Sequence, residues 1–247
     1  MNYNYDQETS LDYKKAKKNY VYDIQDYSLY NYIKNIVTQK KIIDFACGYG
    51  HITRKLHEWG AGSIVGVDVS KYMIELAKIE ELNNPVGIKY IHADASNLKK
   101  IDEFDIATAS WLFECSKNKI ELLDMMKSIA RNLKLGGKLF CIGFIGCFER
   151  LNLDYSKQGL FIETYSKNND IAKVKFSIQN PKFKIDSNHY SKKVMEKNLE
   201  KAGFQNIIWH DLVLPEKIIK DKELFEIWSE YIAKPHSAIL ECTKGYI

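Results

Sequence analysis

The feature that most constrains this chain is an apolar strand that runs into a glycine turn and then a helix. Lys41-Ile42-Ile43-Asp44-Phe45 is a short run with β-branched residues, the pattern of a buried strand. Ala46-Cys47-Gly48-Tyr49-Gly50 follows it as a turn, and His51 to Trp59 resumes helical character up to Gly60. The unit then recurs. Ser63 to Asp68 is a second buried strand, and Ser70 caps a helix predicted over Lys71 to Leu82. Ile88 to Ala93 and Phe104 to Ser110 read as a third and a fourth strand. Lys119 to Leu133 is an amphipathic helix closed by Gly136-Gly137, and Lys138 to Phe144 is a fifth strand. Strands alternating with helices imply a parallel sheet with right-handed crossovers.

The flanks break this rhythm. Residues 1–40 are rich in tyrosine and carry Leu29, Ile33, Ile36 and Val37 at helical spacing. After residue 145, Ala172 to Gln179 and Lys182 to Asn188 read as two strands joined around Asn180-Pro181. Ser191 to Ala202 is a helix closed by Gly203, and Phe204 to Leu214 and Ala238 to Lys244 are final strands. The expected fold is α/β: a Rossmann-like, seven-stranded, mostly parallel sheet with helices on both faces. A helical lid over 1–40 precedes the core at 41–145. A small β insertion at 146–190 caps the substrate side, and 191–247 completes the sheet. At 247 residues, with no repeat or low-complexity linker, one domain over 1–247 is expected.

Composition excludes several classes. Hydrophobic residues at 45% and charged residues at 28% fit a globular chain rather than a disordered one. The net charge of +4 is mild, and the nearest basic patch, Lys14, Lys15, Lys17 and Lys18, reads as a solvated helix face rather than a nucleic-acid footprint. Apolar runs such as Leu139 to Ile145 are too short to cross a bilayer, and no secretory signal is expected at the start. The five cysteines, Cys47, Cys115, Cys141, Cys147 and Cys242, have no metal-ligand spacing. Their odd number points to a reduced, cytoplasmic setting.

Chemistry concentrates at the carboxyl ends of the first three strands, where open α/β sheets hold ligands. The glycines of the first turn let a ligand approach the backbone closely. Asp68, ending the second strand, can accept hydrogen bonds from both hydroxyls of a ribose. Asp94-Ala95, ending the third, can meet an adenine edge through a carboxylate oxygen and a backbone N–H. A dinucleotide site would place a glycine at position 53 and a pyrophosphate over the turn. Here residue 53 is Thr, and the carboxylate of Asp44 precedes the turn. A carboxylate repels a pyrophosphate but suits a cofactor bearing an ammonium and a sulfonium.

The motifs KIIDFACGYGHITRKL, IVGVDVSKYMIELA, IKYIHADASNL and FDIATASWLFECS together resemble the class I S-adenosylmethionine-dependent methyltransferases over residues 40 to 145. The flanks are similar to small-molecule members of the toxoflavin-biosynthesis N-methyltransferase group. The likeness rests on Tyr5-Asp6 followed by Tyr13, on Tyr190, on Ala202-Gly203-Phe204, on Trp209 and on Leu240-Glu241-Cys242. The Tyr5 to Tyr13 interval is one residue longer than the usual lead. The resemblance implies S-adenosylmethionine as cofactor and S-adenosylhomocysteine as product. It assigns Ala46, Gly48 and Gly50 to the methionine part, with Asp44 near its amino group. Asp68 would hold the ribose, Val69 and Met73 the adenine face, and Asp94 and Ala95 the adenine edge. The Ser110 carbonyl would face the sulfonium, and Tyr5 or Tyr13 would close over the carboxylate.

Methyl transfer from a sulfonium is an in-line displacement whose leaving group departs neutral. The protein's task is to hold the acceptor about 3 Å from the methyl carbon in a dry pocket. A base is needed only where the acceptor still carries its proton. His51, Glu114, His189, His210 and His236 are possible bases, and none is assigned as catalytic. Ser110-Trp111-Leu112-Phe113 lacks the motif that serves base-flipping amino methylation, and no Pro-Cys nucleophile is present. Trp111, Phe113, Phe144, Phe148, Tyr155, Phe161, Tyr165 and Tyr190 suggest an aromatic pocket, some of them as plain core. Trp111, Glu114, Phe144 and Tyr190 are the candidate acceptor contacts, and no metal is expected. The expected activity is methylation of a nitrogen or oxygen of a small aromatic or heterocyclic metabolite. The expected partners are that acceptor alone, with no nucleic acid and no membrane, and the expected state is a monomer or homodimer. The alternatives are a non-catalytic methyltransferase-fold subunit and a nicotinamide-dependent oxidoreductase.

Overall fold

Adjacent residues of the first strand face opposite sides of a covered sheet: Ile42 packs into one core and Ile43 into the other, both fully buried. The computed structural model describes residues 7–17, 19–144, 148–179 and 183–245. Tyr5, Cys147 and the Asn180-Pro181 turn lie outside them.

The elements run α1 (Gln7–Ala16), α2 (Tyr20–Ile33), β1 (Lys41–Phe45), α3 (His51–Glu58), β2 (Ser63–Asp68), α4 (Lys71–Asn83), β3 (Lys89–His92) and β4 (Phe104–Ser110). They continue with α5 (Lys119–Asn132), β5 (Leu133–Phe144), β6 (Leu160–Lys167), β7 (Ile171–Ile178), β8 (Phe183–Tyr190) and α6 (Lys192–Lys201). The chain ends with β9 (Phe204–His210), α7 (Glu216–Ile219), α8 (Lys222–Ala233) and β10 (Ser237–Lys244). The main sheet has seven strands in the order β3-β2-β1-β4-β5-β10-β9. Its pairs are parallel except those of β10, which runs antiparallel to both β5 and β9. The strand order reverses between β1 and β4, so the tips of β1, β2, β3 and β4 open one crevice, the usual ligand position in such sheets. Leu122, Met126 and Ile129 of α5 cover one face, while Leu29 and Ile33 of α2 and Leu56 of α3 cover the other.

The expected α/β, Rossmann-like architecture holds, with local differences. Gly136-Gly137 does not close a helix: α5 ends at Asn132 and β5 starts at once. The pairing of β4 with β5 shifts between Phe104↔Leu133 and Ile106↔Lys138, so the residues between bulge out and Gly136 takes φ +75°. The insertion is a three-stranded antiparallel sheet, because β6 joins the two expected strands. Along β6, Glu163, Tyr165, Ser166 and Lys167 are exposed, Thr164 between them is half-buried, and the sequence there shows no apolar alternation. Helices α7 and α8 were not expected from the sequence, and β9 stops at His210 rather than Leu214. Among the described residues no helix is long and apolar enough to cross a membrane, and Cys47, Cys115, Cys141 and Cys242 are all unpaired.

Candidate functional site

The turn after β1 is built around two backbone positions that ordinary side chains disfavour. Gly48 has φ +56° and Gly50 φ +89°, and a Cβ on Gly50 would stand 2.4 Å from Tyr90 Oη. Ala46, at φ 54°, shares the left-handed conformation despite its Cβ, a strained state of the kind that gathers at functional sites. The turn is tied down from both sides. Cys47 N–H donates to Val67 O at 3.0 Å, and Gly48 N–H donates to Asp68 Oδ2 at 2.8 Å. Asp68 Oδ1 accepts from Ser70 N–H at 2.8 Å, at the start of α4. Burial pushes the Asp68 pKa up, and these backbone donors pull against it.

Below the turn, Asp44 is buried and both its oxygens are used. Thr53 Oγ1 donates to Oδ2 and Thr108 Oγ1 to Oδ1, each at 2.7 Å. Thr108 is the direct neighbour of Asp44 across the parallel pairing of β1 and β4. Burial pushes the Asp44 pKa up to about 6, against the pull of the two threonines. The two residues that argued against a dinucleotide, Asp44 and Thr53, are thus bonded to each other.

A cleft of about 290 Å³ lies over these tips. It is lined by Ala46 and Gly48, by Asp68, Val69 and Met73, by Asp94 and Ala95, and by Ser110 and Trp111, with Tyr13 of α1 closing one side. Asp94 Oδ1 accepts from Ser96 N–H at 2.8 Å, which holds the turn after β3. A separate narrow cavity of about 20 Å³, which shares Tyr13, Ala46, Gly48 and Ser110 with the cleft, is bordered by Asp44, Lys17 and His51. A third cavity, about 50 Å³, is lined by Trp111, Glu114, Phe144 and Phe176 among others. Tyr13 borders all three.

Most sequence-derived candidates therefore meet in one place. Gly50 lines none of these cavities and acts by shaping the turn. Tyr190 lines none either: its ring is core, and its hydroxyl meets Ser116 Oγ at 2.9 Å. Phe113, Phe148 and Tyr155 are core as well, while Phe161 and Tyr165 are exposed on β6. The possible bases other than Glu114 have partners of their own: His51 with Asp26, His210 with Glu241, His189 with Ser187 and His236 with Tyr231.

Lys17 corrects the expectation of a solvated basic face. It is buried, with Nζ 4.2 Å from the centroid of the Tyr22 ring, and burial lowers its pKa against the pull of Asp26 and Asp44. No carboxylate among the described residues lies within ion-pair distance of it. Its place at the end of α1, three residues past Lys14, held no sequence signal for this. Tyr22, Phe176 and Phe183 were likewise missed as cavity walls, because their registers are set by tertiary packing.

Comparison with known proteins finds likenesses in sequence and in fold. Residues 42–137 match the model of a methyltransferase domain. The chain is 32% identical over 111 residues to a demethylmenaquinone methyltransferase of Staphylococcus saprophyticus, covering 44% of this chain and 46% of that one. It is 32% identical over 124 residues to a ubiquinone biosynthesis O-methyltransferase of Pelagibacter ubique, covering 50% and 48%. The chain thus spans about half the length of the curated relatives it matches. Among solved structures, a S-adenosylmethionine-dependent methyltransferase of Clostridium acetobutylicum superposes with TM-score 0.63 at 18% identity, covering 91% of this chain and 92% of that one. A magnesium protoporphyrin IX methyltransferase of Synechocystis with bound SAM gives 0.57 at 13%, covering 94% and 83%. The fold is that of the Rossmann-like methyltransferases, as the motifs over residues 40 to 145 led us to expect.

Proposed function

We propose that this protein is an S-adenosylmethionine-dependent methyltransferase acting on a nitrogen or oxygen of a small, flat, aromatic or heterocyclic metabolite. The observation that carries the proposal is the convergence of Gly48, Asp68, Asp94-Ala95 and Ser110 on one cleft at the sheet's switch point. The chemistry of these residues fits the cofactor. Ser110 Oγ is buried without a hydrogen-bond partner among the described residues, and Gly48 leaves open the space that a Cβ would take between Met73 and Tyr13. When bound, the cofactor supplies a methyl carbon made electrophilic by its positive sulfur.

In this account Asp68 accepts from the ribose hydroxyls, and Asp94 and the Ala95 N–H hold the adenine edge. Met73 and Val69 lie against the ring. Lys17, in the narrow cavity beside the cleft, faces the carboxylate of the amino-acid part, and Asp44 keeps negative charge under the turn. Tyr13 remains a neutral phenol, since burial and then the charges of Asp26 and Asp68 push its pKa up. It separates the cleft from the aromatic cavity and excludes water from the place where they meet. Helix α1 and the β6-β7-β8 sheet act as the lid: the Tyr13 and Phe183 rings meet edge to face at 5.4 Å.

The quinone-pathway relatives methylate small molecules by their names, which supports an acceptor of that size. The likeness of the flanks to the toxoflavin-type N-methyltransferase group supports nitrogen as one form of the methylated atom. Titration calorimetry tests the core of the proposal. Micromolar binding of S-adenosylhomocysteine with no binding of NADH supports it; the reverse contradicts it.

A further inference from the structure

The cavity beside the cleft is an aromatic box with one carboxyl group. Trp111 and Phe176 present ring planes 27° apart with centroids at 6.4 Å, and Phe144 stands edge-on to both at 77° and 80°. Such walls suit a flat molecule. The carboxyl is Glu114, on the short turn after β4. Phe144 N–H donates to its Oε1 at 2.9 Å. A Cβ on Gly143 would stand 2.5 Å from the same oxygen, so glycine is what lets β5 approach the carboxyl. No Lys, Arg or His among the described residues forms an ion pair with Glu114.

A buried carboxyl with no cation is costly in an apolar cavity unless something there uses it. Resting on the methyltransferase reading above, we propose that Glu114 is the residue that takes the proton from the acceptor's reacting O–H or N–H. The acceptor is therefore a flat molecule that arrives neutral, with its proton still on the atom to be methylated. The step balances. As the acceptor's oxygen or nitrogen bonds to the methyl carbon, its proton passes to the Glu114 carboxylate. The carbon–sulfur electron pair stays on sulfur, so the sulfonium and carboxylate charges vanish together.

The surroundings leave Glu114 as the group that changes charge near neutrality. Burial pushes its pKa up to about 7, against the Phe144 N–H. Tyr13 of α1, Tyr22 of α2, Cys115 beside it, Cys141 of β5 and Tyr190 of β8 are all pushed up, chiefly by burial. His189 and, before β10, His236 are pushed down by burial, the latter to about 3. All seven stay uncharged around pH 7.

The test uses phenol and anisole as probes, which differ by the proton in question, in ligand-observed NMR titrations without cofactor. Wild type should favour phenol over anisole by about tenfold at about pH 8, the worth of a hydrogen bond to a charged group. The preference should shrink severalfold at about pH 5.5, where Glu114 is protonated. Glu114→Gln should give a weaker preference that does not change with pH. Gly143→Ala, which keeps the carboxyl but displaces it, should lose most of the preference too. S-Adenosylhomocysteine affinity should stay within about twofold in both variants, which shows them folded. A wild type that does not prefer phenol, or a Glu114→Gln variant with the wild-type preference and pH profile, overturns this inference. Failure of wild type to bind S-adenosylhomocysteine overturns the methyltransferase reading instead.

Discussion

The Asp68 carboxylate accepts the Gly48 backbone N–H at 2.8 Å, so the tip of β2 holds the glycine turn of β1 in shape. One carboxylate thus orders the turn and, in the proposed function, also accepts from the ligand. Asp68→Ala should weaken S-adenosylhomocysteine by about 1.5–3 kcal/mol, the scale of hydrogen bonds to a charged acceptor. Asp68→Asn keeps an oxygen for Gly48 and should lose less. Calorimetry reads both, and an alanine variant with wild-type affinity contradicts the ribose assignment.

Lys17 gives a prediction that separates two parts of the ligand. Lys17→Met keeps the stem over the Tyr22 ring and removes the ammonium. Affinity for S-adenosylhomocysteine should fall by about tenfold or more, while 5′-methylthioadenosine, which has no carboxylate, should bind as before. Equal losses for the two ligands would mean that Lys17 only supports the fold.

Asp44 makes stability depend on pH in a stated direction. Its folded pKa is about 6 against an ordinary 3.8, so between these values the folded chain binds more protons than the unfolded one. Stability therefore falls as pH rises through that window. Asp44→Asn removes this contribution. Relative to wild type, the variant should gain about 1–3 kcal/mol between pH 4 and pH 6 and no more above it. Urea unfolding at pH 4, 5, 6 and 7 measures the difference, and a pH-independent difference contradicts the assignment.

Gly50 and Tyr90 are coupled by contact. Gly50→Ala should destabilise by about 1–3 kcal/mol, from the close approach to Tyr90 Oη and the positive φ. Tyr90→Phe removes a buried hydroxyl that has no partner among the described residues, so it should be neutral or stabilising. The double variant should recover part of the Gly50→Ala loss. Strict additivity in denaturant titrations would show that the two do not touch.

The core over residues 41–145 was legible because its information is local. β1, β2 and β4 are short apolar runs bounded by turn residues, and Ser70 caps α4 through its own side chain. Asp68 and Asp94 could be placed because strand ends in a parallel sheet share one edge. The β6-β7-β8 sheet and the cavity it borders were less legible. β6 is half-exposed and carries Glu163, Ser166 and Lys167 where a strand signal would show alternation. Phe176 and Phe183 reach the cavity through an antiparallel register that no local pattern specifies. Lys17 looked like one of four surface lysines because burial of a cation depends on the tyrosines folded over it.

The most direct measurement is a crystal structure of the protein grown with S-adenosylhomocysteine. The expected binding mode puts the ribose on Asp68, the adenine edge on Asp94 and Ala95, and the carboxylate toward Lys17. A cleft left empty at saturating ligand, or the nucleoside bound away from Gly48 and Asp68, would contradict it.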